Sequence, residues 1–167
     1  NNTYTLTVRE ETATQLGLKT ISDLKKHDSD LVLGCTMEFL ERPDGYPGLS
    51  EHYGLQFKEA RGLDPGLTYS AVNTRNVDVI DAFSTDGRIP AFNLVVLEDD
   101  LNFFPPYYAV PLIREETLSQ YPDLEQLLLK LENQITDKEM QEMNYAIDEL
   151  ERDIEDVATE FLQEKGL

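Results

Sequence analysis

DAFSTDGRIPAFNLVVLEDDLNFFPPYYA, residues 81–109, carries the end of an apolar strand, a tight Asp86-Gly87 turn, a second apolar run and an aromatic-proline segment in unbroken succession. Aspartate followed by glycine turns the chain, and apolar runs of four to eight residues beside such a turn read as buried strands. Strands are therefore expected over Val77 to Phe83 and over Leu94 to Leu97. Before this stretch, short strands and helices alternate. After Tyr108 the texture changes to acidic helix.

Working upstream, Tyr4 to Val8 alternates polar and apolar residues with β-branched threonines, the pattern of a half-buried strand. A helix is expected from Glu10 to Leu16, stopped by Gly17, and a short helical turn after Thr20. Leu31 to Cys35 is a continuous apolar run, as in a strand covered on both faces. Met37 to Arg42 reads as a helical turn halted by Pro43-Asp44-Gly45, Gly48 to Tyr53 as a helix, and Gln56 to Ala60 as a strand. Asp64-Pro65-Gly66 looks like a helix start, with the helix running to Thr74 and turning Leu67, Ala71 and Val72 inward. Alternation of this kind predicts an α/β layered domain.

Downstream, Ala109 to Ile113 is compatible with one last strand, and the chain is helical from Glu115. Tyr121-Pro122-Asp123 opens a helix with Leu124, Leu127, Leu128 and Leu131 on one stripe. Thr136 and Glu139 form a capping box for a helix to Leu150, and a final helix runs from Asp153 to Lys165 before Gly166. The leucine and methionine stripes of this tail are expected to be core.

The 167-residue chain has 33 acidic and 14 basic residues, a net charge of −19, which disfavours nucleic acid and anionic lipid as partners. The single cysteine, Cys35, rules out an internal disulfide and sits in an apolar run, where a buried hydrophobe is expected rather than a nucleophile. No apolar run approaches the roughly 20 residues of a membrane-spanning helix. His27 and His52 stand in no metalloprotease context, and no nucleophile elbow, phosphate loop or dinucleotide fingerprint occurs. Glu98-Asp99-Asp100 lacks the spacing of a calcium loop and reads as a solvated strand end. No reaction, cofactor or metal is implied.

Aromatic residues near turns are a different signal. Tyr4 opens a strand, Phe83 closes one, and Phe103, Phe104, Tyr107 and Tyr108 surround Pro105-Pro106. Ligands of open α/β sheets bind outside the carboxyl ends of strands, and converging aromatic faces can hold a quaternary ammonium cation. The same rings would serve equally as core, since aromatics bury large areas.

The strings VDVIDAFSTDGRI, LVVLEDD, FFPPYYA and PLIREETL, with NNTY, TISDL, EFLERPDGYPGL and EFLQEKGL in order around them, span nearly the whole chain. In this it resembles the substrate-binding components of osmoprotectant ABC importers, which capture glycine betaine, choline, carnitine and related compounds such as ergothioneine. The resemblance implies a periplasmic-binding-protein-like flytrap of two α/β lobes (type 2), of which residues 1–106 are the complete second lobe with an incoming crossing strand. Residues 107–167 would be the return crossing strand and the C-terminal helices of the first lobe, whose front is absent. It also implies a non-enzymatic solute-binding role beside an ABC permease, on the extracellular face of the membrane or in the periplasm. A ligand-sensing regulatory domain of the same flytrap is the alternative, and a half-complete cleft would bind weakly and tend to self-associate.

Carried over position by position, the resemblance puts Tyr4, Phe83 and Tyr107 at cage aromatics, Arg42 on a ligand carboxylate, and Asn2 at a polar position beside the cage. Ser84 and Thr85 would offer hydroxyls to the ligand's second end. The family string usually reads DAYSTDGR. Phe83 in place of that tyrosine keeps an aromatic face but removes a polar tip, which makes a bulkier trimethylammonium compound, such as carnitine or ergothioneine, a competitor to glycine betaine.

Overall fold

A computed structural model describes all of residues 1–167. Five strands, β1 (Tyr4–Arg9), β2 (Val32–Thr36), β3 (Glu59–Leu63), β4 (Val79–Phe83) and β5 (Leu94–Val96), form one sheet in the order β3-β2-β4-β1-β5. β2 runs parallel to β3 and β4, whereas β1 is antiparallel to both β4 and β5. The first strand is therefore inserted between β4 and the edge strand β5 of a mixed sheet. Neighbours on both sides and cover on both faces leave Thr5, Leu6, Thr7 and Val8 all buried, so β1 is not the half-exposed strand its alternation predicts.

Side chains alternate between faces along a strand, and the core divides accordingly. Val79 joins Leu6, Val8, Leu33 and Cys35 on one face, while Ile80 and Ala82 join Tyr69, Val72 and Val77 on the other. The helices of this half are α1 (Glu10–Leu16), α2 (Met37–Glu41), α3 (Tyr46–Tyr53), α4 (Thr68–Asn73) and α5 (Arg88–Ala91). Gly17 closes α1 at φ 68°, as its position predicts.

Two boundaries differ from expectation for local reasons. β3 starts at Glu59 rather than Gln56, because the backbone N–H of Gln56 is captured by the Asp28 carboxylate at 2.8 Å and that of Lys58 by the Asp28 and Leu31 carbonyls. Asp64 does not cap a helix. Its carbonyl accepts from Leu67 N in a turn, α4 begins at Thr68, and Leu67 is exposed rather than inward.

The remaining helices are α6 (Glu115–Gln120), α7 (Leu124–Leu129), α8 (Asp137–Asp148) and α9 (Ile154–Lys165). Residues 107–114 form no strand, since no strand of this chain lies alongside Ala109 to Ile113. The leucine stripe of 124–131 is not core either: Leu127, Leu129 and Leu131 are exposed, and α6 and α7 bury no residue. Apolar periodicity states that a face needs cover without stating that the same chain supplies it. The Thr136 capping box is present at α8 as expected, and the Lys165 ammonium holds Glu139 at 2.6 Å to tie α9 to it.

α8 meets the sheet half chiefly around Ser84 to Gly87, with Asp137 also accepting from the Asn1 ammonium at 3.1 Å. Gln141 Nε2 donates to the Ser84 carbonyl at 2.5 Å and Asn144 Nδ2 to the Thr85 carbonyl at 2.8 Å. Between them the backbone of α8 comes so near Gly87 that a Cβ there would lie 2.5 Å from Tyr145 N. Glycine is what permits this approach.

Candidate ligand-binding site

Tyr4 and Phe83 are registered partners across the antiparallel β1–β4 pair and so share a face. Their ring centroids lie 4.5 Å apart with planes inclined at 30°. Tyr107 arrives from the other direction, after Pro105-Pro106. Its carbonyl accepts from Asn2 N at 2.9 Å and its N–H donates to the Asn1 side-chain oxygen at 2.7 Å, which sets the segment beside the entry to β1. The Tyr107 ring stands edge-on to Tyr4, 6.4 Å away at 87°. Phe39 and Phe104 back Tyr4 at 5.4 and 6.3 Å. Three residues distant in sequence thus converge, and Phe83 and Tyr107 keep 39% and 42% of their surface exposed. Burial, then the nearby carboxylates of Glu38 and Asp81, push the Tyr4 phenol's pKa up, so it stays neutral at physiological pH.

A cavity of about 370 Å³ opens at the carboxyl ends of β2 and β4, walled by Tyr4, Phe83 and Tyr69, with Thr36, Glu38 and Asp81 among its polar groups. A second, wider one of about 490 Å³ lies on the far side of Phe83, between Asn2, Thr85, Arg88 and Asn144. Asp81 is buried, accepts from Thr36 N at 3.0 Å and Thr36 Oγ1 at 2.9 Å, and has its pKa raised by that burial. Arg88 belongs to both cavities. Its guanidinium lies 4.1 Å over the Tyr69 ring and grips Asp86 with two hydrogen bonds, at 3.0 and 2.7 Å.

The other residues carried over from the resemblance are placed differently. Arg42 follows α2 with its guanidinium filled by its own neighbours: Nε and Nη2 donate to Asp44 at 2.8 and 2.6 Å, and Nη1 donates to Glu38 at 2.9 Å. It borders neither cavity, although its charge is felt at Tyr4. Ser84 and Thr85 are buried, with their hydroxyls donating to the Asn1 carbonyl at 2.5 Å and the Asn2 side chain at 2.6 Å. Asn2 edges the wider cavity, but its side-chain oxygen is occupied by Thr85.

Asp81, Asp86, Arg88 and Tyr69 went unnoticed in the sequence. The available signal was position: Asp81 lies near the carboxyl end of β4 and the Asp86–Arg88 turn follows that end, where α/β sheets bind ligands. Of the acidic trio after β5, Glu98 and Asp100 are exposed, as a solvated end would be, whereas Asp99 is drawn into the structure. Asp99 accepts from Tyr53 OH, Phe103 N and Phe104 N, and Asp100 accepts from Ser22 N at 3.2 Å. No three acidic, histidine or cysteine side chains are gathered as metal ligands.

Over residues 1–164 the sequence matches OpuAC, described as the substrate binding domain of ABC-type glycine betaine transport systems. The chain belongs to this family. Among OpuAC relatives, the carnitine transport binding protein OpuCC of Listeria monocytogenes is 41% identical over 166 residues, covering 99% of this chain and 54% of that protein. The ergothioneine transport permease/ergothioneine binding protein EgtU of Helicobacter pylori is 36% identical over 167 residues, all of this chain and 30% of its own length. A crystal structure described as a glycine betaine/carnitine/choline ABC transporter superimposes with a TM-score of 0.90 at 44% identity, over 98% of this chain and 60% of that one. The α/β fold is thus that of ABC-transporter substrate-binding proteins, as expected from the motifs. The chain spans about half or less of the length of the curated relatives it matches. The OpuAC family is one of binding domains rather than enzymes, and no helix of the chain is long and apolar enough to cross a membrane.

Proposed function

We propose that this chain forms one wall of an extracytoplasmic solute-binding protein that captures a quaternary ammonium compound and hands it to an ABC permease. The observation that carries the reading is the convergence of Tyr4, Phe83 and Tyr107, three rings from separate segments, of which Phe83 and Tyr107 are exposed. Aromatic faces attract a trimethylammonium group that has few hydrogen bonds to offer, and each desolvated contact contributes up to about 2 kcal/mol. Family membership and the names of the relatives, which include glycine betaine, carnitine, choline and ergothioneine, support the same ligand class.

In this reading residues 1–106 make one lobe, and residues 107–167 return the chain to a second lobe that closes over the ligand and excludes water. Arg42 takes the ligand's carboxylate by exchanging one of its bonds to Glu38 or Asp44, using the planar fork that suits carboxylates. Calorimetric titration of the full two-lobe protein with glycine betaine, choline, carnitine and ergothioneine tests the reading. Saturable heat with at least one compound is expected, with a lowered but measurable affinity in Tyr107→Ala. Silence from all four, or unchanged affinity after that substitution, overturns it.

A further inference from the structure

The turn between β5 and the cage is tied together by a single carboxylate. Asp99 Oδ1 accepts from the Tyr53 hydroxyl and from Phe103 N at 3.0 Å, and Oδ2 accepts from Phe104 N at 2.8 Å. The Tyr53 oxygen in turn accepts from Leu101 N at 2.9 Å, and Asn102 N donates to the Asp99 carbonyl at 3.1 Å. Every backbone N–H from 101 to 104 therefore ends on Asp99 or on the hydroxyl that Asp99 holds. Asn102 adopts the left-handed conformation, φ 55°, to close the turn. Tyr53 is itself buried in the core at the end of α3, which makes the anchor rigid.

What leaves this knot leads straight to the ligand site. Phe104 is buried against Tyr4 and Phe39, the next two residues are prolines with restricted φ, and the third is Tyr107. The Pro105 carbonyl accepts from Thr3 Oγ1 at 2.7 Å, a residue before Tyr4. Little rotational freedom separates the Asp99 carboxylate from the Tyr107 ring.

We propose that Asp99, held by Tyr53, is a positioning residue of the cage: by capturing the N–H groups of the 101–104 turn it sets where the Tyr107 ring stands relative to Tyr4. The proposal rests on the cage reading above. Asp99 touches no ligand. It spares the ligand the entropic cost of ordering the Tyr107 segment at the moment of binding.

Asp99→Asn is the informative substitution. It preserves shape, but its amide nitrogen must face a backbone N–H or the tyrosine hydroxyl where a carboxylate oxygen accepted. Affinity for whichever of glycine betaine, carnitine, choline or ergothioneine binds the full protein is expected to fall about three- to tenfold, the cost of ordering one or two further side chains. In a Tyr107→Ala background the same substitution is expected to change affinity less than twofold. A structural role alone would lower thermal stability equally in both backgrounds and would not couple to Tyr107. Fluorine NMR of fluorotyrosine-labelled protein, with the Tyr107 signal assigned through Tyr107→Phe, provides a reading that needs no ligand. The Tyr107 signal is expected to broaden or split in Asp99→Asn while that of Tyr46 is unchanged. Equal affinity losses in the two backgrounds, or an unaltered Tyr107 signal, overturn the proposal. If none of the compounds binds the unaltered protein, the cage reading falls by itself and the Tyr107 signal alone decides whether Asp99 positions the ring.

Discussion

Tyr4 and Phe83 are cross-strand partners whose ring centroids lie 4.5 Å apart, one at the first residue of β1 and the other at the last residue of β4. Neither ring would have a defined place without the other strand. Phe83→Ala removes one face of the pair and is expected to weaken ligand binding about 30-fold, the equivalent of about 2 kcal/mol. Folding stability should fall by only about 1 kcal/mol, since Phe83 is partly exposed and aromatic pairs contribute about that much beyond area. Phe83→Tyr should restore a polar tip and shift preference toward glycine betaine over bulkier compounds. Paired titrations of the two variants, with thermal melts alongside, check both statements.

Gly87 is where α8 and the sheet half touch most closely. An added Cβ would sit 2.5 Å from Tyr145 N and 2.7 Å from Asn144 C, while the glycine's own φ of −63° imposes no strain. Gly87→Ala is therefore a steric probe, expected to cost about 1–3 kcal/mol by thermal unfolding. Gly66 is the control, because a methyl group added there would meet nothing within 4 Å, and Gly66→Ala is expected to leave the melting temperature unchanged or slightly raised. Equal melting temperatures for the two variants would disprove the tight contact.

Asp81 gives a pH signature. Burial raises its pKa above the ordinary 3.8, so the stability tied to its protonated form is fully present below pH 3.8 and is lost as pH rises through the folded value. Asn at this position can still accept from Thr36 N and can donate to Thr36 Oγ1 in place of accepting from it. Asp81→Asn should match the unaltered protein at about pH 3.5 and exceed it progressively toward about pH 7. Urea unfolding at three pH values measures the difference, and parallel curves would count against a strained buried carboxylate.

Cys35 should behave as a core atom. It is fully buried in β2, and burial, reinforced by the Asp81 charge, pushes its thiol up to about 12. A thiolate is the reactive form, so labelling by a disulfide reagent at about pH 8 is expected to proceed only at the rate of opening. Stoichiometric labelling of the native protein within seconds would contradict the structure.

The residues themselves explain what was legible beforehand. Burial on both faces leaves a plain mark, and Leu31 to Cys35 carried it into β2. Thr136 with Glu139, and Gly17 and Gly166 past helix ends, are local signals that local structure obeyed. Expectation failed where a distant group intervened, as when Asp28 captured Gln56 N and delayed β3, or where the leucines of α7 promised a core that no element of this chain supplies. The family strings single out Tyr4, Phe83 and Tyr107, and the structure brings their rings together. Sequence could show that Ser84 and Thr85 own hydroxyls but not that both are already bonded to Asn1 and Asn2, nor that Arg42 is wrapped by Glu38 and Asp44. Asp99 was misjudged for the same reason: a carboxylate's neighbours, not its type, decide whether it faces water or ties a turn.

The place of β1 between β4 and β5 has a temporal consequence. Its partner β4 lies more than seventy residues later, so during synthesis the first strand waits unpaired until most of the sheet-forming sequence exists. Parallel pairing of β2 with β3 and β4 joins nearer segments, whereas seating β1 closes the longest loop in the sheet. The Tyr4–Phe83 contact is made only by that closure. A chain that is incompletely folded lacks this aromatic pair, so on the proposed reading ligand capture also reports that assembly of the sheet is finished.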